Sequence, residues 1–331
     1  MGLAPDAKSF VEYFSGIEDP RSDQHEHPLL SILVLCLCGT ICGANGPTAI
    51  EDFGKVRLKF LKTLVPFPNG IPSHDTIGRV LGLINPDKLE AAFSRWMQKV
   101  TRLAPSEVIA IDGKSLRRAR NAKDGHKFVH MVSAWATANR VVLGQVRTNE
   151  KSNEITAIPE LLKLLKIEGC IVTIDAMGCQ KDIVAKIVDK GADYIIPVKQ
   201  NQPKLFTAIT DVFDREFDEE EFPKEATYHE TSNKGHGRIE VRRCWTIPVP
   251  EDFLLCKDWK GLKTLVHIQS ERRIGESVSL VDRWHISSRS GLQAKMALAS
   301  IRAHWGIESV PQAHRESQGE ERNHEVTTLC A

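Results

Sequence analysis

Two short runs of β-branched apolar residues, each closed by an aspartate, constrain this chain most: Val-Ile-Ala-Ile at 108–111 before Asp112, and Ile-Val-Thr-Ile at 171–174 before Asp175. Such runs read as strands buried on both faces, which requires helices on either side of a sheet. A carboxylate directly after a buried strand stands at the sheet edge, where ionising it is costly unless something positive is near. A third acidic residue, Glu308 in His-Trp-Gly-Ile-Glu, closes a late helical stretch. Two aspartates and a glutamate are an oxygen donor set that suits magnesium, and a metal pair can activate an attacking oxygen and stabilise a leaving one. Each residue also has a plainer reading. An aspartate after a strand often forms a turn or caps a helix, and a glutamate late in a helix is commonly solvated.

The elements around these residues follow from periodicity. Residues 8–100 read as mostly helical, with an apolar stretch at Ile32–Ile41 and mixed apolar and charged positions at helical spacing over Ala49–Leu64 and Asp87–Leu103. Ser73 or Asp75 would cap the helix that starts at Thr76. Beyond Pro105 the alternation changes. Strands are expected at Val108–Ile111, Val129–Ala136 and Val141–Arg147, the last two as a hairpin. A helix at Ile155–Lys166, a strand at Cys170–Ile174, a helix at Lys181–Lys190 and a strand at Tyr194–Val198 come next. That order predicts an α/β fold with a mixed sheet covered by helices. Residues 203–285 read as a mainly β insertion, with a hairpin over Thr227–Ile247 and strands at Leu262–Gln269 and Ser277–Ser287. The final helix, Ala294–Glu308, would pack by Ala297, Ile301 and Trp305. Trp305 reads as a core residue, with stacking on a displaced base as its other role.

Five stretches go beyond pattern: Gly70–Val80 (Gly-Ile-Pro-Ser-His-Asp-Thr-Ile-Gly-Arg-Val), Ala110–Ser115 (Ala-Ile-Asp-Gly-Lys-Ser), Asn153–Pro159 leading into Thr173–Gln180, Ala192–Gln202 (Ala-Asp-Tyr-Ile-Ile-Pro-Val-Lys-Gln-Asn-Gln), and His304–Glu308. Together they resemble the DDE-type insertion-sequence transposases of the H-repeat-associated group, from about residue 8 to residue 308. The resemblance implies a ribonuclease H-like catalytic domain that cuts and joins DNA with magnesium or manganese. Asp112, Asp175 and Glu308 would be its catalytic and metal-binding residues, with Asp112 bridging two ions. It further implies homo-oligomers on DNA, because two element ends must be held together. The domain limits that follow are 1–104, helical; 105–308, catalytic, with the insertion inside it; and 309–331, a tail.

The remaining features concern partners and surroundings. Net charge is only +1 over 331 residues, so any affinity for DNA must come from local clusters. Lys114, Arg117, Arg118, Arg120, Lys123 and Lys127 follow the first aspartate, and Arg238, Arg242 and Arg243 form a second group. Lys114, Arg117, Arg118, Lys199, Gln202 and Arg238 are the candidate DNA contacts, against the alternative of solvated surface. Composition is 41% hydrophobic and 26% charged, with no glycine fingerprint for a nucleotide, no membrane span and no secretory leader in Met1–Phe10. Eight scattered cysteines favour the reducing bacterial cytoplasm, and Cys36, Cys38 and Cys42 read as small apolar core rather than a zinc site. After Glu308 the chain departs from the family pattern. Pro311 and a polar composition predict a disordered tail that leaves Glu308 on a last helical turn, as if by a frameshift. A defective copy that at most binds DNA, and a nuclease that only hydrolyses it, are therefore the alternatives to a working transposase.

Overall fold

The computed structural model describes residues 7–21, 25–120, 128–148, 154–218, 223, 225–235 and 237–309. They fall into two compact units, divided between Arg102 and Leu103. No described helix is long and apolar enough to cross a membrane.

The first unit is helical: α1 (Ala7–Phe14), α2 (Leu29–Ile41), α3 (Pro47–Leu64), α4 (His74–Leu83) and α5 (Pro86–Val100). Side chains start two of these helices. Ser73 Oγ accepts the Thr76 N–H at 3.3 Å ahead of α4, while Asp75 sits exposed in the first turn. Asn85 Oδ1 accepts from the Asp87 and Lys88 amides at 3.0 and 3.2 Å ahead of α5. Phe10 and Phe14 of α1 stack at 3.9 Å, and both meet the buried Trp96 of α5 edge-on. Helix α2 approaches α3 closely. A side chain at Gly54 would come within 2.8 Å of Leu35 and Ile71. The cysteine expectation needs correction. The buried side of α2 is built from Leu29, Ile32, Leu33, Val34 and Leu35, whereas Cys36 and Cys38 are half-buried and Cys42 lies exposed just past the helix end.

The second unit is organised by one nine-stranded sheet in the order β3-β2-β1-β4-β5-β9-β8-β7-β6. The strands are β1 (Val108–Arg120), β2 (Phe128–Ala136), β3 (Val141–Thr148), β4 (Ile171–Ile174), β5 (Asp193–Val198), β6 (Thr227–Gly235), β7 (Arg238–Pro248), β8 (Thr264–Ile274) and β9 (Ser277–Ser287). β1 is antiparallel to β2 and β2 to β3, whereas β1, β4 and β5 run parallel. Three meander strands followed by two parallel ones make this the ribonuclease H-like α/β fold. Its odd and even strand positions face different layers. Ile109, Ile111, Val172, Ile174, Tyr194 and Ile196 pack under α6 (Glu154–Leu164), α7 (Lys181–Asp189) and α8 (Pro203–Asp218). Val108, Ile171 and Ile195 pack under α9 (Ala294–His304) on the other face.

Two features differ from the sequence-based expectation. β1 does not stop at Ile111. β4 accompanies it only that far, but β2 goes on bonding it through Asp112↔Ser133 to Leu116↔Val129, so the strand continues as a two-stranded ribbon to Arg120. Asp112 therefore lies within a strand rather than after one. The inserted strands β6–β9 also do not stand apart: β9 pairs antiparallel with β5, from Ile195↔Ser287 to Val198↔Trp284, and extends the central sheet. A ladder of rings secures this extension, with Tyr228, Trp245, His267 and Trp284 on adjacent strands at centroid spacings of 5.2, 5.2 and 5.3 Å. Phe206 of α8 meets Trp284 edge-on.

Candidate active site

The last paired residues of β1 and β4 are Ile111 and Ile174, so Asp112 and Asp175 are the next residue on each of two neighbouring strands. Neighbouring strands lie about 4.8 Å apart. Alternation from Val108 and Ile171 puts Asp112 and Asp175 on the α9 face. Asp112 is partly buried, and burial raises its carboxyl pKa. The Asp175 charge raises it further, while Lys114 and the Gly113 amide pull it back down. Asp175 is exposed and also does what the plainer reading expected. Its Oδ1 accepts the Met177 and Gly178 amides at 3.1 and 3.2 Å, capping the 3-10 turn Ala176–Gly178. The two readings of Asp175 are compatible, because capping fixes the carboxylate without removing it from solvent.

The loop after β5 closes this edge. Lys199 is exposed there. Asn201 Nδ2 donates to the Ala176 carbonyl at 2.6 Å, and Gln202 Nε2 donates to the Cys179 carbonyl at 2.9 Å. Gln202, a candidate DNA contact in the sequence, thus fastens the Asp175 turn with its amide. Sequence reasoning passed over Asn201. Its signal was present in the Lys-Gln-Asn-Gln run directly after a buried strand.

Glu308 arrives differently from the sequence expectation. Helix α9 ends at His304, the chain turns at Trp305, and Glu308 lies on a separate short helix, α10 (Gly306–Ser309). Ile307 replaces Trp305 as the residue packed on the sheet, clustering with Ala110 of β1 and Trp135 of β2, while Trp305 is 57% exposed. Two side chains reach this segment from the sheet. Lys114 Nζ donates to the Ile307 carbonyl at 2.6 Å, and Thr173 Oγ1 shares a hydrogen bond with His304 Nδ1 at 3.1 Å. The Glu308 side chain lies outside the described residues. Among the described residues, no group of three or more His, Cys, Asp or Glu side chains is gathered closely enough to hold a metal ion.

The remaining candidates divide by position. Arg117 and Arg118 lie on the β1 ribbon, their side chains outside the described set, as are residues 121–127. Arg238 opens β7 at the tip of the inserted sheet, where it pairs with Glu240 at 3.1 Å. The register Val198–Trp284–His267–Trp245 puts that tip beyond the C-terminal end of β5, roughly 20 Å on at about 3.3 Å per residue. It projects on the same edge of the sheet as the aspartates. Alternation from Cys244 and Ile268, both packed under α9, puts Arg238, Arg242 and Arg272 on the aspartates' face, and Arg283 joins them two residues from His285. Arg272 and Arg283 are exposed and were missed in the sequence, because only strand register brings them beside Arg242.

Comparison with known proteins agrees with this architecture. Residues 11–97 match a family model described as DDE_Tnp_1-associated, and residues 103–324 match the Transposase DDE domain. The second match continues into the segment that the sequence reading set apart as the tail. The chain is 42% identical to the "H repeat-associated putative transposase YhhI" of Escherichia coli K12, over 91% of this chain and 80% of that protein. It is 44% identical to the "Putative transposase YncI" of Escherichia coli O157:H7, over 91% and 77%. The cryo-EM structure of the piggyBac transposase synaptic complex with hairpin DNA aligns at a TM-score of 0.40 and 9% identity, covering 92% of this chain and 63% of that one, a likeness too loose to bear on function. This chain belongs to the Transposase DDE domain family.

Proposed function

We propose that this chain is a DNA transposase that cuts and joins strands at the ends of a mobile element, with Asp112, Asp175 and Glu308 holding magnesium or manganese. The observation that carries the reading is the juxtaposition of Asp112 and Asp175, each one residue past the last parallel pair of β1 and β4. The donor set fits a hard divalent cation. Both groups offer carboxylate oxygens, and a cation between them would offset the burial and like-charge repulsion that raise the Asp112 pKa. When bound, such an ion would lower the pKa of an attacking water and offset charge on the leaving oxygen.

The chain's own residues do the positioning. The Met177 and Gly178 amides orient Asp175, and Asn201 and Gln202 hold that turn against the loop after β5. In this reading Lys199, Arg238, Arg242, Arg272 and Arg283 grip DNA phosphates along the same face, with Arg117 and Arg118 on the β1 ribbon opposite. Two element ends must be brought together, so the working form on DNA is a homo-oligomer.

The test is incubation of the full chain with DNA carrying the flanking element ends, with magnesium or manganese, beside Asp112→Asn and Asp175→Asn. Cleaved and joined products from the unmodified chain, and none from either folded variant, are the expected result. Cleavage without joining would make the protein a hydrolysing nuclease. Binding with no metal-dependent cleavage would make it a non-catalytic remnant.

A further inference from the structure

Glu308 stands on the short helix Gly306–Ser309, and its position depends on what holds the segment leading to it. Three contacts do reach the segment before it. Ile307 is seated between Ala110 and Trp135, Lys114 donates to the Ile307 carbonyl, and His304 is bonded to Thr173. The two polar contacts are placed symmetrically about the aspartates. Lys114 lies two residues after Asp112 on β1, and Thr173 lies two residues before Asp175 on β4, each on the same face as its aspartate.

We propose that Lys114 and His304 are positioning residues: a pair of latches that pin the turn bearing Glu308 to the two strands bearing Asp112 and Asp175. The inference rests on the triad reading above and deepens it. Lys114 gives one of its three donors to a main-chain carbonyl, a contact that fixes a backbone segment whether or not the remaining donors meet a DNA phosphate. His304 does the equivalent for the last turn of α9. With both latches closed, the spacing between the third carboxylate and the first two is set by the sheet.

The experiment uses the full chain and the variants Lys114→Met, His304→Ala and His304→Asn, with Asp112→Asn as a control. Asparagine can offer a polar atom near the position of Nδ1, so it should restore what alanine loses. Single-turnover cleavage at saturating DNA should fall about ten- to a hundredfold in Lys114→Met and His304→Ala, the range expected for a misplaced group of about 1 Å. DNA half-saturation should not change, and His304→Asn should recover most of the rate. Unchanged cleavage in both latch variants, or a loss of DNA affinity with an unchanged rate, would overturn the proposal. Hydrogen exchange across residues 305–309 gives a readout that needs no activity. It should quicken in Lys114→Met and His304→Ala but not in Asp112→Asn, and no quickening also overturns the latches. If Asp112→Asn still cleaves DNA while exchange quickens in the latch variants, the triad reading fails and the latches stand. Should one latch variant fail to fold, the other carries both readouts.

Discussion

The Cβ that Gly113 lacks would lie 2.5 Å from the carboxyl carbon of Glu154. Gly113 follows Asp112 on β1, and its open side faces Glu154, the first residue of α6, which is only 8% exposed. The aspartate side of the strand is therefore built over a buried glutamate on the other side. Gly113→Ala should cost about 1–3 kcal/mol, as overpacking of a filled site does. Glu154→Ala should make room for the added methyl, so the double variant should lose less than the sum of the singles. Urea unfolding of the four proteins checks this, and strict additivity would mean the two positions do not compete for space.

Asp112 carries a stability cost at neutral pH. Its folded-state pKa is raised, chiefly by burial, so the folded protein holds the proton more tightly than the unfolded chain does. Stability from this group is present below the unfolded carboxylate pKa and is lost as pH rises through the folded value. Asp112→Asn should therefore melt higher than the unmodified protein at pH 7, with the gap closing as pH falls towards 4. Thermal melts across that range measure it. A variant that melts lower at pH 7 would show that the charge is compensated.

His285 predicts the opposite pH behaviour. It is buried in β9, its Nδ1 has no hydrogen-bond partner among the described residues, and its pKa is pushed down to about 3, first by burial and then by Arg283, His267, His304 and Lys199. The unfolded chain takes up this proton near pH 6.5 and the folded one does not. Stability is thus intact above pH 6.5 and falls as pH drops towards 3, by about 1.4 kcal/mol per unit. His285→Gln should flatten the acid limb of the stability curve by that slope, read from denaturant midpoints at several pH values.

Asn201 and Gln202 bond main-chain carbonyls of the segment after Asp175. Alanine at either position should slow cleavage while leaving DNA affinity close to normal. Gel-shift titrations beside single-turnover rates separate the two effects. A weakened shift with an unchanged rate would return Gln202 to the role of a DNA contact.

Arg272 and Arg283 are expected to act through phosphates. Each alanine variant should weaken binding to all DNA sequences alike and lower the slope of log affinity against log salt by about 1. Titrations at several salt concentrations give that slope directly, and a change confined to one sequence would assign the residue to base reading instead.

Most of the second unit was legible in the chain because burial leaves a local imprint. Val108–Ile111 is apolar throughout and Ile171–Ile174 is apolar but for Thr173, because both faces are covered, and helices such as Lys181–Asp189 declare themselves by their stripe. Those signals, together with the order of strands and helices, predicted a mixed sheet covered by helices with Asp112 and Asp175 at its edge; the catalytic reading of the two aspartates came from the resemblance to DDE-type transposases. Tertiary structure decided the rest. β1 runs on to Arg120 because β2 supplies partners there, a pairing no local pattern records. The inserted strands join the core sheet because Trp284 meets Val198 across a gap of 86 residues in sequence order, closed only by register. The helix leading to Glu308 breaks at Trp305 because Ile307 finds a seat on Ala110 and Trp135. Lys114 reads as one cation in a basic run until the fold brings it to a carbonyl 193 residues away. Periodicity reports whether a residue is buried; it carries no record of which distant residue it is buried against.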